Sequence, residues 1–110
     1  MAWLLREGEV LATLEVADGL RGRTRGLLGR DSIEGAILLR PARSVHTISM
    51  RFTIDVAFCT ADMRVVRTTT MRPNRVTRPV LTARCVIEAE AGAFVRWDLR
   101  PGDRLEIKGE

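Results

Sequence analysis

The sequence predicts an α+β domain in which mainly antiparallel strands form a small barrel-like or curled sheet, with one or two short helices. Short apolar runs with alternating polarity recur along the chain, and turn residues separate them. The 110 residues are 45% hydrophobic and 29% charged, which is the composition of one globular domain. We therefore predict about seven short strands in a single domain over residues 1–110.

The first third of the chain predicts a hairpin followed by a helix. Residues 3–6 and 10–16 read as two strands, and the connection Glu7-Gly8-Glu9 suits a hairpin. From Asp18 to Arg30 the periodicity becomes helical, with Asp18 as the N-cap. A broken helix and loop is the alternative, because several glycines weaken this helix. These glycines form a stripe that would let the helix lie close against the sheet: Gly19, Gly22, Gly26 and Gly29.

Later segments supply the rest of the predicted sheet. Ile54–Cys59 is the clearest strand, and Arg64–Met71 returns as its hairpin partner, rich in β-branched residues. Gly92–Trp97 predicts one or two helical turns, and His46–Phe52 alternates less cleanly. Three further short strands complete the sheet: Gly35–Leu39, Cys85–Ala91 and Leu105–Ile107.

Charge is distributed unevenly. The chain carries 18 basic and 14 acidic residues, for a net charge of +4, and every basic residue except Lys108 is arginine. No acidic residue occurs between Asp62 and Glu88. That segment is suited to nucleic acid or another polyanion, and a solvated basic edge is the alternative. It contains six arginines: Arg64, Arg67, Arg72, Arg75, Arg78 and Arg84.

Several classes of function lack their motifs. The chain has no P-loop, no dinucleotide-binding glycine pattern and no nucleophile elbow. With one histidine and two isolated cysteines, Cys59 and Cys85, we predict no metal site, no cofactor and two free thiols. No secretory signal and no apolar run long enough to span a bilayer is present, so we expect a cytoplasmic protein.

The segment from His46 to Asp55 is the candidate site. It places the single histidine, hydroxyl groups, an arginine and an aspartate just before a buried strand. If the segment is extended, Arg51 and Asp55 share a face and are near enough to pair. That pair could simply anchor the strand. The functional interpretation is a polar cleft in which His46 binds a ligand or moves a proton.

This segment also carries a family resemblance. Val45–Phe58 resembles the signature of the domain-of-unknown-function family 192. Arg25–Arg30 is similar to the family's R-G-L-M/L-x-R helix, and Val86–Gly92 with Leu99–Asp103 is similar to its V-L-E-x-x-A-G … G-D ending. The likeness runs from about Val16 to Ile107. It implies a compact, largely β domain, secreted or membrane-anchored in many members, with no established activity.

The chain departs from the family pattern at the candidate site. Many members carry Phe-Trp-Met-Lys-Asn where this chain has Val45–Ser49, and the usual proline is replaced by Thr53. A site built on the tryptophan form is therefore not carried over. The histidine form resembles a subgroup variant.

These observations favour a binding or accessory module over an enzyme, because no complete catalytic set is present. We predict a polar pocket for an anionic small molecule or peptide, bordered by the His46–Asp55 segment. One alternative is an enzyme with His46 as acid or base, and the other is nucleic-acid binding through Arg64–Arg84. The predicted pocket residues are Arg25, His46, Ser49, Arg51 and Asp55.

Overall fold

The computed structural model describes residues 1–18 and 29–109. In this part of the chain, seven strands form one sheet in the order β5-β4-β6-β3-β2-β1-β7. The elements are β1 (Ala2–Arg6), β2 (Glu9–Asp18), β3 (Ala36–Arg40), β4 (Ile54–Cys59), β5 (Val65–Met71), β6 (Cys85–Glu90), α1 (Ala93–Arg96) and β7 (Glu106–Lys108).

Both predicted hairpins are confirmed. β1 and β2 pair antiparallel, and Glu7 and Gly8 between them have φ values of 51° and 79°. Two successive positive φ values are the requirement of a type I′ turn, whose twist matches that of the strands. β4 and β5 also pair antiparallel, with Ile54 opposite Met71.

One strand pair is parallel, which makes the sheet mixed. β2 and β3 run in the same direction, with Leu14 opposite Ala36, whereas every other pair is antiparallel. A parallel pair needs a long crossover, and residues 19–35 provide it. Asp18, the predicted helix N-cap, is the last residue of β2. The predicted helix, with most of its glycine stripe, lies outside the described residues.

The sheet does not close, so the barrel-like form of the prediction is wrong, whereas its other form, a curled sheet, is not contradicted. The two ends of the sheet nevertheless approach each other where β5 begins. The Val65 N–H donates to the Asp103 carbonyl at 2.8 Å, and the Leu105 N–H donates to the Met63 carbonyl at 2.9 Å. Beyond this contact β5 is an edge strand. The coarse prediction of a β-rich, mainly antiparallel domain holds, with one short helix among the described residues.

The two faces of the sheet carry separate apolar cores. On the inner face, Ala57 and Ile87 pack with Phe94 of α1. On the outer face, Val56 and Val86 pack with side chains from the segments before β4 and before β6. Because both faces are covered, β3, β4 and β6 are almost continuously buried, which explains their unbroken apolar runs. No helix within the described ranges is long and apolar enough to cross a membrane.

Candidate functional site

Asp55 forms a buried polar node on the inner face. Its side chain is 3% exposed, and its two oxygens accept three hydrogen bonds. Oδ2 accepts from the backbone N–H groups of Gly92 at 3.0 Å and Phe94 at 3.1 Å, and Oδ1 accepts from the Thr70 hydroxyl at 2.7 Å. Gly92, the N-cap of α1, has no side chain with which to cap the helix. The Asp55 carboxylate, supplied by β4, therefore performs the capping role.

Residues 45–50 and 72–77 form what we call the loop pair. Thr47 is fully buried between the two segments, where its hydroxyl donates to the Arg72 carbonyl at 2.6 Å and accepts from the Arg75 N–H at 2.9 Å. The Asn74 side-chain oxygen accepts from the Ser49 N–H at 3.0 Å. Ser49 and Asn74 both adopt left-handed backbone conformations. These bonds hold the two segments in one arrangement.

The structure separates the residues that the sequence grouped together. A turn at residues 48–49 ends the extended conformation expected for this segment, so the predicted alternation of faces fails. Arg51 pairs with Asp31 at 2.9 Å, and the predicted Arg51–Asp55 pair is wrong. His46 is exposed on the loop pair, where its Nδ1 accepts from the Ile48 N–H at 3.3 Å. Arg25 lies outside the described residues.

The enzyme hypothesis required Asp55 to orient His46. Both Asp55 oxygens are instead occupied by Thr70 and the start of α1, on the inner face. The segment that carries His46 packs against the outer face through Val45. The acid–base pair proposed from the sequence is therefore not formed.

Two concavities adjoin β5. The first, which we call the edge groove, has a volume of about 460 Å³ and lies between Thr68–Thr70 and residues 92–100, with Asp55 in its lining. The second, of about 420 Å³, is lined by residues 69–72 and 75–77 and so reaches the loop pair. The two share Thr69 and Thr70. Of the predicted site residues, Asp55 lines the edge groove, and His46, Ser49 and Arg51 line neither concavity.

Arginines in the described parts of the chain fall into two groups. Those of the first group each lie within 4 Å of a carboxylate oxygen: Arg6, Arg30, Arg40, Arg51, Arg96, Arg100 and Arg104. Those of the second group have no ion pair with a described residue. They are Arg43 and the six arginines of the acid-free segment. We call these six the cationic band: Arg64, Arg67, Arg72, Arg75, Arg78 and Arg84. Thus no described carboxylate oxygen lies within 4 Å of a guanidinium group of the band, although Arg64 is near enough to Asp62 to help lower the pKa of that carboxyl group.

Glu88 is a buried carboxyl that the sequence analysis did not select. It lies on the outer face of β6, between Ile37 of β3 and Val56 of β4, and is 4% exposed. Burial raises the pKa of Glu88 to about 7. Within residues 1–18 and 29–109 its carboxyl group has no hydrogen bond or ion pair. The available signal was a glutamate inside the apolar run of β6.

The prediction of two free thiols is confirmed. Cys59 and Cys85 face each other across β4 and β6, and both are buried and unbridged. The hydrogen bond with Cys85, together with burial, raises the pKa of the Cys59 thiol. Among the residues that the structure describes, no group of three or more potential ligands is arranged to hold a metal ion.

Comparisons with known proteins find a family without an assigned activity. The sequence model of the family DUF192, which is described as "Uncharacterized ACR", matches residues 3–107 of this chain. UPF0127 proteins of Pyrococcus furiosus and Pyrococcus horikoshii are each 31% identical, over 89% and 91% of this chain and 89% and 88% of their own lengths.

Solved structures share the fold. A protein of unknown function from Novosphingobium aromaticivorans has a TM-score of 0.78 at 17% identity, covering 96% of this chain and 82% of that one. A Sinorhizobium meliloti protein described as a "putative transcription regulator" has a TM-score of 0.80 at 20% identity, covering 96% and 90%. At these identities the likeness concerns the fold alone.

Proposed function

The chain belongs to DUF192, a family of uncharacterised proteins, and we propose that it is a binding or accessory module for an anionic small molecule or peptide. The observation that supports this proposal is the cationic band. Its arginines have no ion pair with a described residue, although every described arginine outside residues 43–84 has a carboxylate partner. A surface that leaves cations unpaired in this way attracts anions.

Arg72 and Arg75 are the central members of the proposed site. Both line the concavity of about 420 Å³, together with the hydroxyl-bearing residues Thr69, Thr70 and Thr77. Guanidinium groups bind carboxylates and phosphates in bidentate geometry, and hydroxyl groups supply further donors. Because the loop pair holds the backbone of residues 72–75, the ligand would meet a preorganised surface.

The remaining predicted residues belong to this proposal at its margin. Ser49 is hydrogen-bonded to Asn74, and His46 bridges to Val76, so both lie on the loop pair. Arg51, which is paired with Asp31, and Arg25, which lies outside the described residues, stay predicted contacts of the anionic ligand. Asp55 contributes indirectly, because it positions α1 and Thr70 at the edge groove.

A thermal denaturation series with citrate and inorganic phosphate tests the proposal. At a ligand concentration one hundred times Kd, binding stabilises a protein by about 2.7 kcal/mol. The double variant Arg72→Gln/Arg75→Gln should lose that stabilisation. The double variant Arg30→Gln/Arg104→Gln removes the same charge from paired, exposed arginines and should keep it. If neither anion stabilises the parent protein, the small-molecule form of the proposal is wrong. If both variants respond equally, Arg72 and Arg75 are not the binding site.

Nucleic-acid binding is the second candidate, because the same six arginines could contact phosphates. Residues 64–84 contain no aromatic side chain, so base stacking, which strengthens single-strand binding, is not available there. Phosphate contacts would make the affinity fall steeply as salt rises. A mobility-shift assay with duplex and single-stranded DNA at low salt tests it, and the absence of any shift would dispose of it.

A further inference from the structure

We propose that the edge of β5 that does not pair with β4 accepts an extended acidic peptide as an additional strand of the sheet. This inference rests on the proposed function and specifies its ligand class. Three features support it: a strand edge with unsatisfied backbone groups, a groove beside that edge, and a flanking set of arginines without ion pairs.

The unsatisfied edge begins after Val65. β5 pairs with β4 on one side, and on the other side the Val65 backbone bonds to Gly102 and Asp103. Residues 66–71 form no backbone hydrogen bond with any described segment other than β4. A row of unpaired N–H and C=O groups is a template for another extended chain, which is how many peptide-binding domains recognise their ligands.

The edge groove provides room for such a chain. It runs beside Thr68–Thr70, and the opposite side is formed by residues 92–100. Val95 on that side is 84% exposed, so apolar as well as polar peptide side chains would find contacts. Six residues of a strand span about 20 Å, so a peptide of about seven residues would cover the unpaired edge.

Charge selects an acidic peptide. Arg67 lies on β5, and Arg64 precedes the strand. Arg72 and Arg75 follow it, and none of the four lies within 4 Å of a described carboxylate oxygen. Asp98 in the groove lining is already paired with Arg100 at 3.0 Å. Like charges on a second copy of this edge would repel, which disfavours pairing between two copies of the chain and favours an acidic partner.

The test uses a capped heptapeptide of alternating glutamate and threonine. Isothermal titration calorimetry measures its affinity, and hydrogen exchange follows the amides of residues 66–71. Two matched peptides carry N-methyl groups on alternate residues, one at the odd positions and one at the even. In an added strand, alternate amides face β5. One methylated peptide should therefore bind at least tenfold more weakly and the other about as well as the parent, and the parent peptide should slow exchange in β5.

The outcomes separate the inference from the proposed function. If all three peptides bind equally, or if binding does not protect residues 66–71, the peptide is held by charge alone. The added-strand inference is then wrong, and the proposed function is not contradicted. Stabilisation by citrate with no binding of the peptide has the same meaning. If neither citrate nor the peptide binds, both fall. A variant that reverses the edge charge, Arg67→Glu, should weaken the parent peptide several-fold, whereas Arg30→Glu should not.

Discussion

Among the described residues, the inner and outer faces of the sheet each bury one carboxyl group, on neighbouring strands, and only one of the two has hydrogen-bond donors. Asp55 on the inner face receives three hydrogen bonds, two of them from the N-terminus of a helix. Glu88 on the outer face has apolar cross-strand neighbours, Ile37 and Val56, and no described hydrogen-bond donor. Burial alone therefore does not determine how a carboxyl group affects stability. Asp55 stabilises the fold through the hydrogen bonds that it accepts, whereas burial without donors raises the pKa of Glu88.

The largest effect is expected from removing the satisfied group. Asp55→Ala leaves the Gly92 and Phe94 N–H groups and the Thr70 hydroxyl without their acceptor, so we expect a loss of roughly 3 to 5 kcal/mol in the free energy of unfolding. Urea denaturation measures it. Asp31→Ala, which breaks an exposed ion pair, is the control and should cost less than about 1 kcal/mol. A loss no greater than the control's would mean that the node is not structural.

The next largest effect is the pH dependence of stability due to Glu88, whose removal should stabilise the protein at high pH, in contrast to the removal of Asp55. The folded-state pKa of Glu88 is raised to about 7, above its ordinary value of 4.5, so the folded protein holds this proton more tightly than the unfolded chain. That contribution to stability is present below pH 4.5 and is lost as pH rises through 7. Between pH 5 and pH 8 it amounts to roughly 2 kcal/mol.

Glu88→Gln removes the titration and should abolish this part of the pH dependence, leaving the variant more stable than the parent at pH 8. Urea unfolding of both proteins at pH 5 and pH 8 gives the comparison. The exposed Glu34→Gln is the matched control and should follow the parent at both values. Identical pH dependence in the parent and Glu88→Gln would show that the outer-face carboxyl is ionised without cost.

The smallest effect comes from one bond of the inner node. Thr70→Val keeps the shape of the side chain but deletes the hydrogen bond to Asp55, and the loss of one typical hydrogen bond costs about 0.5 to 1.5 kcal/mol of stability. Thr69→Val is the control on the neighbouring residue, whose hydroxyl forms no hydrogen bond with a described residue, and should change stability by less than about 0.5 kcal/mol. Equal effects in the two variants would contradict the special role of Thr70.

Local pattern was sufficient for the strands and insufficient for their arrangement. The run Ile54–Cys59 and the glycine at position 8 predicted a strand and a hairpin because the relevant forces act between near neighbours. The parallel pairing of β2 with β3 depends on the path of a long crossover, which periodicity does not encode. The turn at Ser49 depends on Asn74, which is 25 residues away in sequence.

The candidate site shows the same limit. Asp55 was recognisable as a polar residue at a buried strand, but its three donors lie 15, 37 and 39 residues further along the chain. Arg51 and Asp55 looked like a pair because an extended segment would place them on one face. The basic segment was visible in the sequence, whereas its lack of described carboxylate partners became evident only when the ion pairs of the fold were known.

The capping of α1 by a residue of β4 has a consequence for the order of folding. A helix of four residues is far shorter than helices that are stable alone in water. The conformational entropy lost in forming the first turn exceeds the free energy gained from its hydrogen bond. Because its cap is supplied by Asp55 of β4, residues 92–96 should not be helical until β4 has formed. An excised peptide of this segment should be a coil, and in the refolding chain α1 should form after the sheet.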